Sequence, residues 1–129
     1  MARQIYGQHF LTDLDWQKKI VSLFEPRGDF AEIGPGEGAI TQHLAASYKD
    51  FFCFEIDPKI KEKHSSEVYK VVLKSFLDWD FCDDHGQPVS NFSLIGNLPY
   101  ESGTKMLVQI AAHSSRISHF VFMLSLIHI

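Results

Sequence analysis

The chain has 129 residues, 45% hydrophobic and 22% charged, the balance of one globular domain with a real core. Twelve Lys and Arg against sixteen Asp and Glu leave a net charge of -4, which argues against a self-sufficient nucleic-acid binder, whose surface is usually basic. Two cysteines exclude a disulfide scaffold, and no apolar run approaches the roughly 20 residues of a membrane span.

Met1-Ala2-Arg3-Gln4 lacks the apolar stretch of a signal peptide, so the expected setting is a reducing cytoplasm. The seven histidines show no ligand spacing, and no metal site is expected. Cys53 lies in an apolar run and reads as a buried free thiol.

Residues 14–24 carry Trp16, Ile20, Leu23 and Phe24 at helical period, with Thr12 and Asp15 as a capping signal. Pro26-Arg27-Gly28 ends that helix. Residues 30–33 read as a strand, and Ile40 with Leu44 marks a helix reaching about Ser47. Residues 51–56 form a second strand, and Pro58 suits the first turn of a helix running to about Ser66. Residues 69–73 are β-branched and apolar, a third strand. Residues 83–91 hold Gly86 and Pro88 in polar surroundings and read as a loop. Residues 92–95 are a fourth strand, Met106, Leu107, Ile110 and Ala111 one more helical face, and residues 120–124 a fifth strand. Alternating strands and helices with right-handed crossovers predict an α/β fold with a parallel, Rossmann-like sheet of order 3-2-1-4-5.

Three strand ends carry chemistry. Glu32-Ile33-Gly34-Pro35-Gly36-Glu37-Gly38 follows the first strand and opens a helix. Glycines there let the backbone turn sharply and let a ligand lie against it. The spacing is G-x-G-x-G, and Glu37 disfavours a pyrophosphate, so a sulfonium or ammonium ligand fits better. A plain tight turn is the other reading. Glu55-Ile56-Asp57-Pro58 ends the second strand, where a carboxylate can hold a ribose diol. Glu55 is expected on the ribose and Asp57 at the helix start.

Gly96-Asn97-Leu98-Pro99-Tyr100 follows the fourth strand. Pro99 is expected to break the chain, setting an amide, a turn and an aromatic ring at the carboxyl edge of the sheet. An amide oxygen accepts hydrogen bonds from an exocyclic amine, and a tyrosine face stacks on a base. A strand-ending turn with a packed tyrosine is the other reading. Gly7-Gln8-His9-Phe10-Leu11 reads as an amino-terminal arm compatible with a loop over a ligand.

In this order and at these intervals the motifs resemble the small-subunit ribosomal RNA adenine dimethyltransferases of the KsgA type, over about residues 3–124. The resemblance implies a class I S-adenosylmethionine-dependent methyltransferase fold. It also implies S-adenosyl-L-methionine as cofactor and two adjacent adenines of small-subunit rRNA as acceptors, in an immature ribosomal subunit. By carry-over, His9, Leu11, Gly34, Gly36, Glu55, Ser75 and Asn97 bind the cofactor. Asn97, Pro99 and Tyr100 are catalytic: Asn97 and the Leu98-Pro99 backbone accept from the amine and Tyr100 stacks on the extruded base. No strong general base is needed. The expected enzyme is a cytoplasmic monomer.

The chain departs from the family pattern at four places. His9 stands for asparagine, and Ser75 for an aspartate that binds the cofactor's adenine amine, a role open to Asp78. Glu101-Ser102-Gly103-Thr104 replaces an Asn-Ile-Ser-Thr type sequence. Residues 125–129 do not resemble the family and read as a foreign terminus, so residues 1–129 are expected to form an incomplete methyltransferase domain. The last two strands and a helical RNA-binding domain would be missing, leaving a poor enzyme with an unpaired edge on its fifth strand. The alternatives are a large-subunit rRNA adenine methyltransferase of the antibiotic-resistance type, which more often has isoleucine at Leu98, and a non-catalytic RNA-binding or ribosome-assembly factor.

Overall fold

The computed structural model describes residues 14–125, and the arm residues 7–11, with Thr12 and positions 126–129, lie outside them. In chain order the elements are α1 (Leu14–Ser22), β1 (Phe30–Ile33), α2 (Thr41–Ser47), β2 (Phe51–Glu55), α3 (Pro58–Glu62) and β3 (Tyr69–Leu73). A short 3-10 turn (Phe76–Asp78), β4 (Phe92–Pro99), α4 (Tyr100–Ala112) and β5 (Ile117–Ser125) complete the described chain. The five strands form one sheet of order β3-β2-β1-β4-β5, and every pairing is parallel. The expected topology is the observed one: apolar strands alternating with helices can only be joined in parallel by crossovers.

Side chains alternate across the sheet with period two. On one face Ala31, Ile33, Phe54, Phe92, Leu94 and Leu98 pack with the α4 residues Met106 and Ile110 and with Phe76, Trp79 and Phe81. Trp79 is the hub: its ring lies 4.7 Å from Phe81, 5.1 Å from Phe54 and 5.2 Å from Phe92. Its indole N–H donates to the Cys82 carbonyl at 3.0 Å, so the buried polar atom is satisfied. On the other face Phe30, Phe51, Cys53, Val71 and Ile95 pack under α1 and α2 through Ile20, Phe24, Ile40 and Leu44. Each such buried aliphatic or aromatic side chain contributes roughly 1.5–3 kcal/mol.

Four details differ from the sequence expectation. The buried residues of α1 are Gln17 and Ile20, with Phe24 buried just past its end, while Trp16 and Leu23 are exposed. The helix is rotated so that the Gln17 amide oxygen meets His43 Nε2 at 3.1 Å on α2. α3 stops at Glu62 rather than near Ser66, because none of its residues is buried and Lys63 closes it onto the Ile60 and Lys61 carbonyls. β4 continues through Pro99 instead of breaking after Ile95. Its pairing with β1 ends at Ile33↔Gly96, but its pairing with β5 runs on to Pro99↔Ser125. Proline thus takes the final position of the ladder, where strand gives way to helix. β5 likewise begins at Ile117, three residues before the expected start.

Candidate active site

The sheet order puts the ends of β3, β2, β1 and β4 side by side. Ser75, Glu55–Asp57, the glycine loop 34–38 and Asn97–Tyr100 therefore follow neighbouring strands along one carboxyl edge, where open α/β sheets bind ligands.

The glycine loop needs its glycines. Gly34, Gly36 and Gly38 have φ of 68°, 53° and 92°, a region that side chains rarely adopt. Gly34 N–H donates to the Phe54 carbonyl at 2.9 Å, which seats the loop beside β2. A Cβ built on Gly34 would lie 4.0 Å from the Asn97 carbonyl oxygen, so the β1 and β4 motifs are neighbours in space. The approach is closer one pleat back: a Cβ on Gly96 would come within 2.6 Å of the Ile33 carbonyl oxygen. Glycine at 96 lets the two motif strands run this close. Glu37 is exposed and paired with Lys63 at 2.7 Å, which offsets part of the negative charge expected to repel an anion.

Beneath the loop lies a buried carboxyl. Glu32, 1% exposed at the end of β1, accepts from Thr41 Oγ1 at 2.6 Å and from Cys53 Sγ at 3.8 Å. Burial pushes its pKa up to about 7, against the lowering effect of these two hydrogen bonds, and the Glu55 charge raises it further. Burial, reinforced by Glu32, also pushes the Cys53 thiol far up, so it stays neutral. Thr41 opens α2 and Glu32 is the last residue but one of β1, so their bond ties together the two flanks of the glycine loop. The sequence reading gave Thr41 no role. A carboxylate and a hydroxyl flanking a glycine run was the available signal.

At the end of β2 the two acids divide as expected in one respect. Asp57 caps α3, accepting from the Lys59 N–H at 2.9 Å. Glu55 Oε2 accepts from the Ile56 and Asp57 N–H groups, both at 3.0 Å, which holds the carboxylate at the turn with Oε1 outside those bonds. Ser75 spends its hydroxyl locally, accepting from Leu77 N–H at 3.1 Å to cap the 3-10 turn, and Asp78 in that turn is exposed.

On β4, Asn97 Oδ1 is buried and has no hydrogen-bond partner among the described residues. Ser93 Oγ, four residues earlier on the same strand face, is the other such atom. Tyr100 opens α4 with its side chain 51% exposed, and Pro99 supplies no side-chain cap. The replacement at Gly103 has a packing reason. A Cβ there would clash with Leu124 Cδ2, so glycine lets α4 lie close against β5. His9 and Leu11 lie outside the described residues.

Two cavities, of about 660 and 250 Å³, open elsewhere, around Phe52, Val72 and Trp79 and around Arg27 and Lys49. Neither touches Gly34, Glu55, Ser75 or Asn97, so the site rests on its residues and their edge of the sheet. Among the described residues no group of three or more His, Cys, Asp or Glu is placed to hold a metal, and no helix is long and apolar enough to cross a membrane.

The chain resembles known proteins in sequence and in fold. The family model for ribosomal RNA adenine dimethylase matches residues 1–126. The small-subunit ribosomal RNA methyltransferase A of Chromobacterium violaceum is 34% identical over 96% of this chain and 48% of its own length. Its counterpart from Dechloromonas aromatica is 35% identical over 96% of this chain and 49% of its own. Among solved structures, the 23S rRNA methyltransferase ErmE superposes with a TM-score of 0.71 at 29% identity, covering 91% of this chain and 48% of that one. The chain thus spans about half the length of the curated relatives it matches. With its motifs in register along one sheet edge and the family model matching nearly its whole length, the chain belongs to the ribosomal RNA adenine dimethylase family.

Proposed function

We propose that the whole protein transfers methyl groups from S-adenosyl-L-methionine to the N6 amines of two adjacent adenines in small-subunit rRNA, as a cytoplasmic monomer acting on immature subunits. The observation that carries the reading is the buried, unpartnered Asn97 Oδ1 at the end of β4. Leaving such an acceptor empty costs about 1–3 kcal/mol, so its retention favours a ligand that donates to it. An adenine amine is such a donor.

The residues suit the cofactor on three counts: three glycines without side chains at the β1 end, a carboxylate at the β2 end, and an unmet acceptor at the β4 end. Bound there, the cofactor would supply a sulfonium-activated methyl group. Gly34 and Gly36 would lie against it, Glu55 Oε1 would accept from its ribose, and Ser75 would stand near its base. His9 and Leu11 would approach from the arm.

The adenine amine is a weak nucleophile because its lone pair is delocalised into the ring. Asn97 Oδ1 and the Leu98-Pro99 carbonyls would accept its two N–H groups and favour a reactive lone pair. Tyr100, half exposed beside them, would stack on the extruded base. No general base is required of the protein. Ser75, already engaged with Leu77, offers a weaker partner for the cofactor's base than an aspartate would.

The likeness to a 23S rRNA methyltransferase supports a second reading, methylation of large-subunit rRNA. The test is methyl transfer from labelled cofactor by a fusion of this chain to the part of a small-subunit relative that lies beyond their shared region. Immature small subunits and large-subunit RNA are offered separately. Label in two adjacent small-subunit adenines is expected. Label only in large-subunit RNA selects the second reading, and label in neither defeats both.

A further inference from the structure

His64 belongs to none of the motifs. It follows α3, its ring is half buried, and it makes two short contacts. Its Nε2 lies 2.8 Å from the Gly36 carbonyl oxygen, 28 residues away in sequence, and its Nδ1 lies 2.7 Å from the Tyr69 hydroxyl. A carbonyl oxygen can only accept, so Nε2 carries the proton. In the neutral ring Nδ1 is then an acceptor, and the Tyr69 O–H donates to it. The result is a directed chain: Tyr69 O–H to His64 Nδ1, then His64 Nε2–H to Gly36 C=O.

One end of this chain is held, and the other is the element it fixes. Tyr69 is the first residue of β3, and its ring stacks on Phe51 of β2 at 5.3 Å and 15°. Gly36 is the middle glycine of the loop, with φ of 53°, a residue free to rotate its peptide plane at little cost. The neighbouring contacts reinforce the link. A Cβ built on Gly38 would lie 3.5 Å from His64 Cε1, and Lys63 pairs with Glu37. Residues 63 and 64 thus grip residues 36–38 from outside, as the Glu32–Thr41 bond holds the loop's flanks from beneath.

We propose that His64, set by Tyr69, is a positioning residue for the cofactor loop. It fixes the Gly36–Glu37 peptide plane, and because that peptide is trans, the Glu37 N–H points away from the His64 side. A pinned plane presents one fixed pattern of donors to a ligand, whereas a free glycine plane must be ordered on binding, which weakens affinity. The inference rests on the loop's proposed role as cofactor site, but the clamp itself can be read without a cofactor.

The experiment uses the 129-residue chain and its Tyr69→Phe, His64→Gln and His64→Ala variants, each first checked by thermal melting for a folded state. Nitrogen-15 spectra of the ligand-free chain should show His64 as the Nε2–H tautomer. Tyr69→Phe and His64→Ala should increase the fast motion of the Glu37 amide. His64→Gln, which keeps a donor for Gly36, should restore much of its order. The opposite tautomer, or a Glu37 amide indifferent to all three changes, overturns the proposal. Calorimetry with S-adenosylmethionine should then show affinity about tenfold lower for Tyr69→Phe and His64→Ala than for the parent chain. Equal affinities in parent and variants overturn the link to cofactor binding. A parent chain that binds no cofactor, with the spectra as expected, counts against the proposed function and leaves the clamp standing.

Discussion

The two faces of the sheet are built on different terms. The face under α4 is apolar along its whole length, from Phe92 and Ala31 to Leu98, and is closed by the aromatic group around Trp79. The face under α1 and α2 starts the same way, with Phe30, Phe51 and Tyr48 in ring contact, but turns polar toward the carboxyl edge. Glu32 and Thr41 are buried there, and Asn97 Oδ1 is buried without a partner. One face maximises stability. The other gives some of it up along the edge where the glycine loop sits, as proteins commonly do at functional sites.

The contrast breaks first at Trp79. Trp79→Ala should cost about 3–5 kcal/mol, through a cavity among Phe54, Phe81 and Phe92 and a lost hydrogen bond to Cys82. Urea unfolding measures this directly. A loss under about 1 kcal/mol would mean the apolar face is not the stabilising one.

Glu32 tests the polar face. Its folded pKa is raised from 4.5 to about 7, so between those values the folded chain holds a proton that the unfolded chain has lost. Stability should therefore fall as pH rises through this window and stay lower above it, by on the order of 3 kcal/mol. Glu32→Gln has no such proton to lose. Denaturant unfolding of both proteins from pH 4.5 to 8 should show the fall in the parent and its loss in the variant. Parallel curves would count against a buried, proton-holding Glu32.

Asn97 separates stability from activity. Asn97→Ala removes an unmet acceptor, so the melting temperature should hardly change or should rise. Methyl transfer by the fusion protein should fall about 10²-fold, the usual loss on removing one preorganised hydrogen-bonding group. A large loss of stability with little loss of rate would reassign Asn97 to the structure.

The smallest effects are at the end of β2. Glu55→Ala should weaken cofactor binding by on the order of 1.5–3 kcal/mol, as expected for a charged acceptor on a diol. Asp57→Ala should cost about 1 kcal/mol of stability and little affinity, since its carboxylate caps α3. Calorimetry on both variants decides between the roles.

The order of residues along the chain is enough to set the sheet and the addresses of its motifs. Runs such as residues 69–73 have one stable use, a parallel strand, and the glycines at 34, 36 and 38 stand where positive φ was needed. Asp57 announced its cap through Pro58, which suits only a helix start. Which face of α1 is buried was settled by packing in three dimensions, because it depended on Gln17 finding His43 rather than on hydropathy. Packing also decided how far β4 runs, since β5 extends a ladder that β1 abandons at Gly96. The grip of His64 on Gly36 joins residues 28 apart and leaves no periodic trace in the chain. The same holds for Glu32. Its letter is legible in the glycine motif, but its raised pKa comes from burial beneath α2, and burial belongs to the assembled fold.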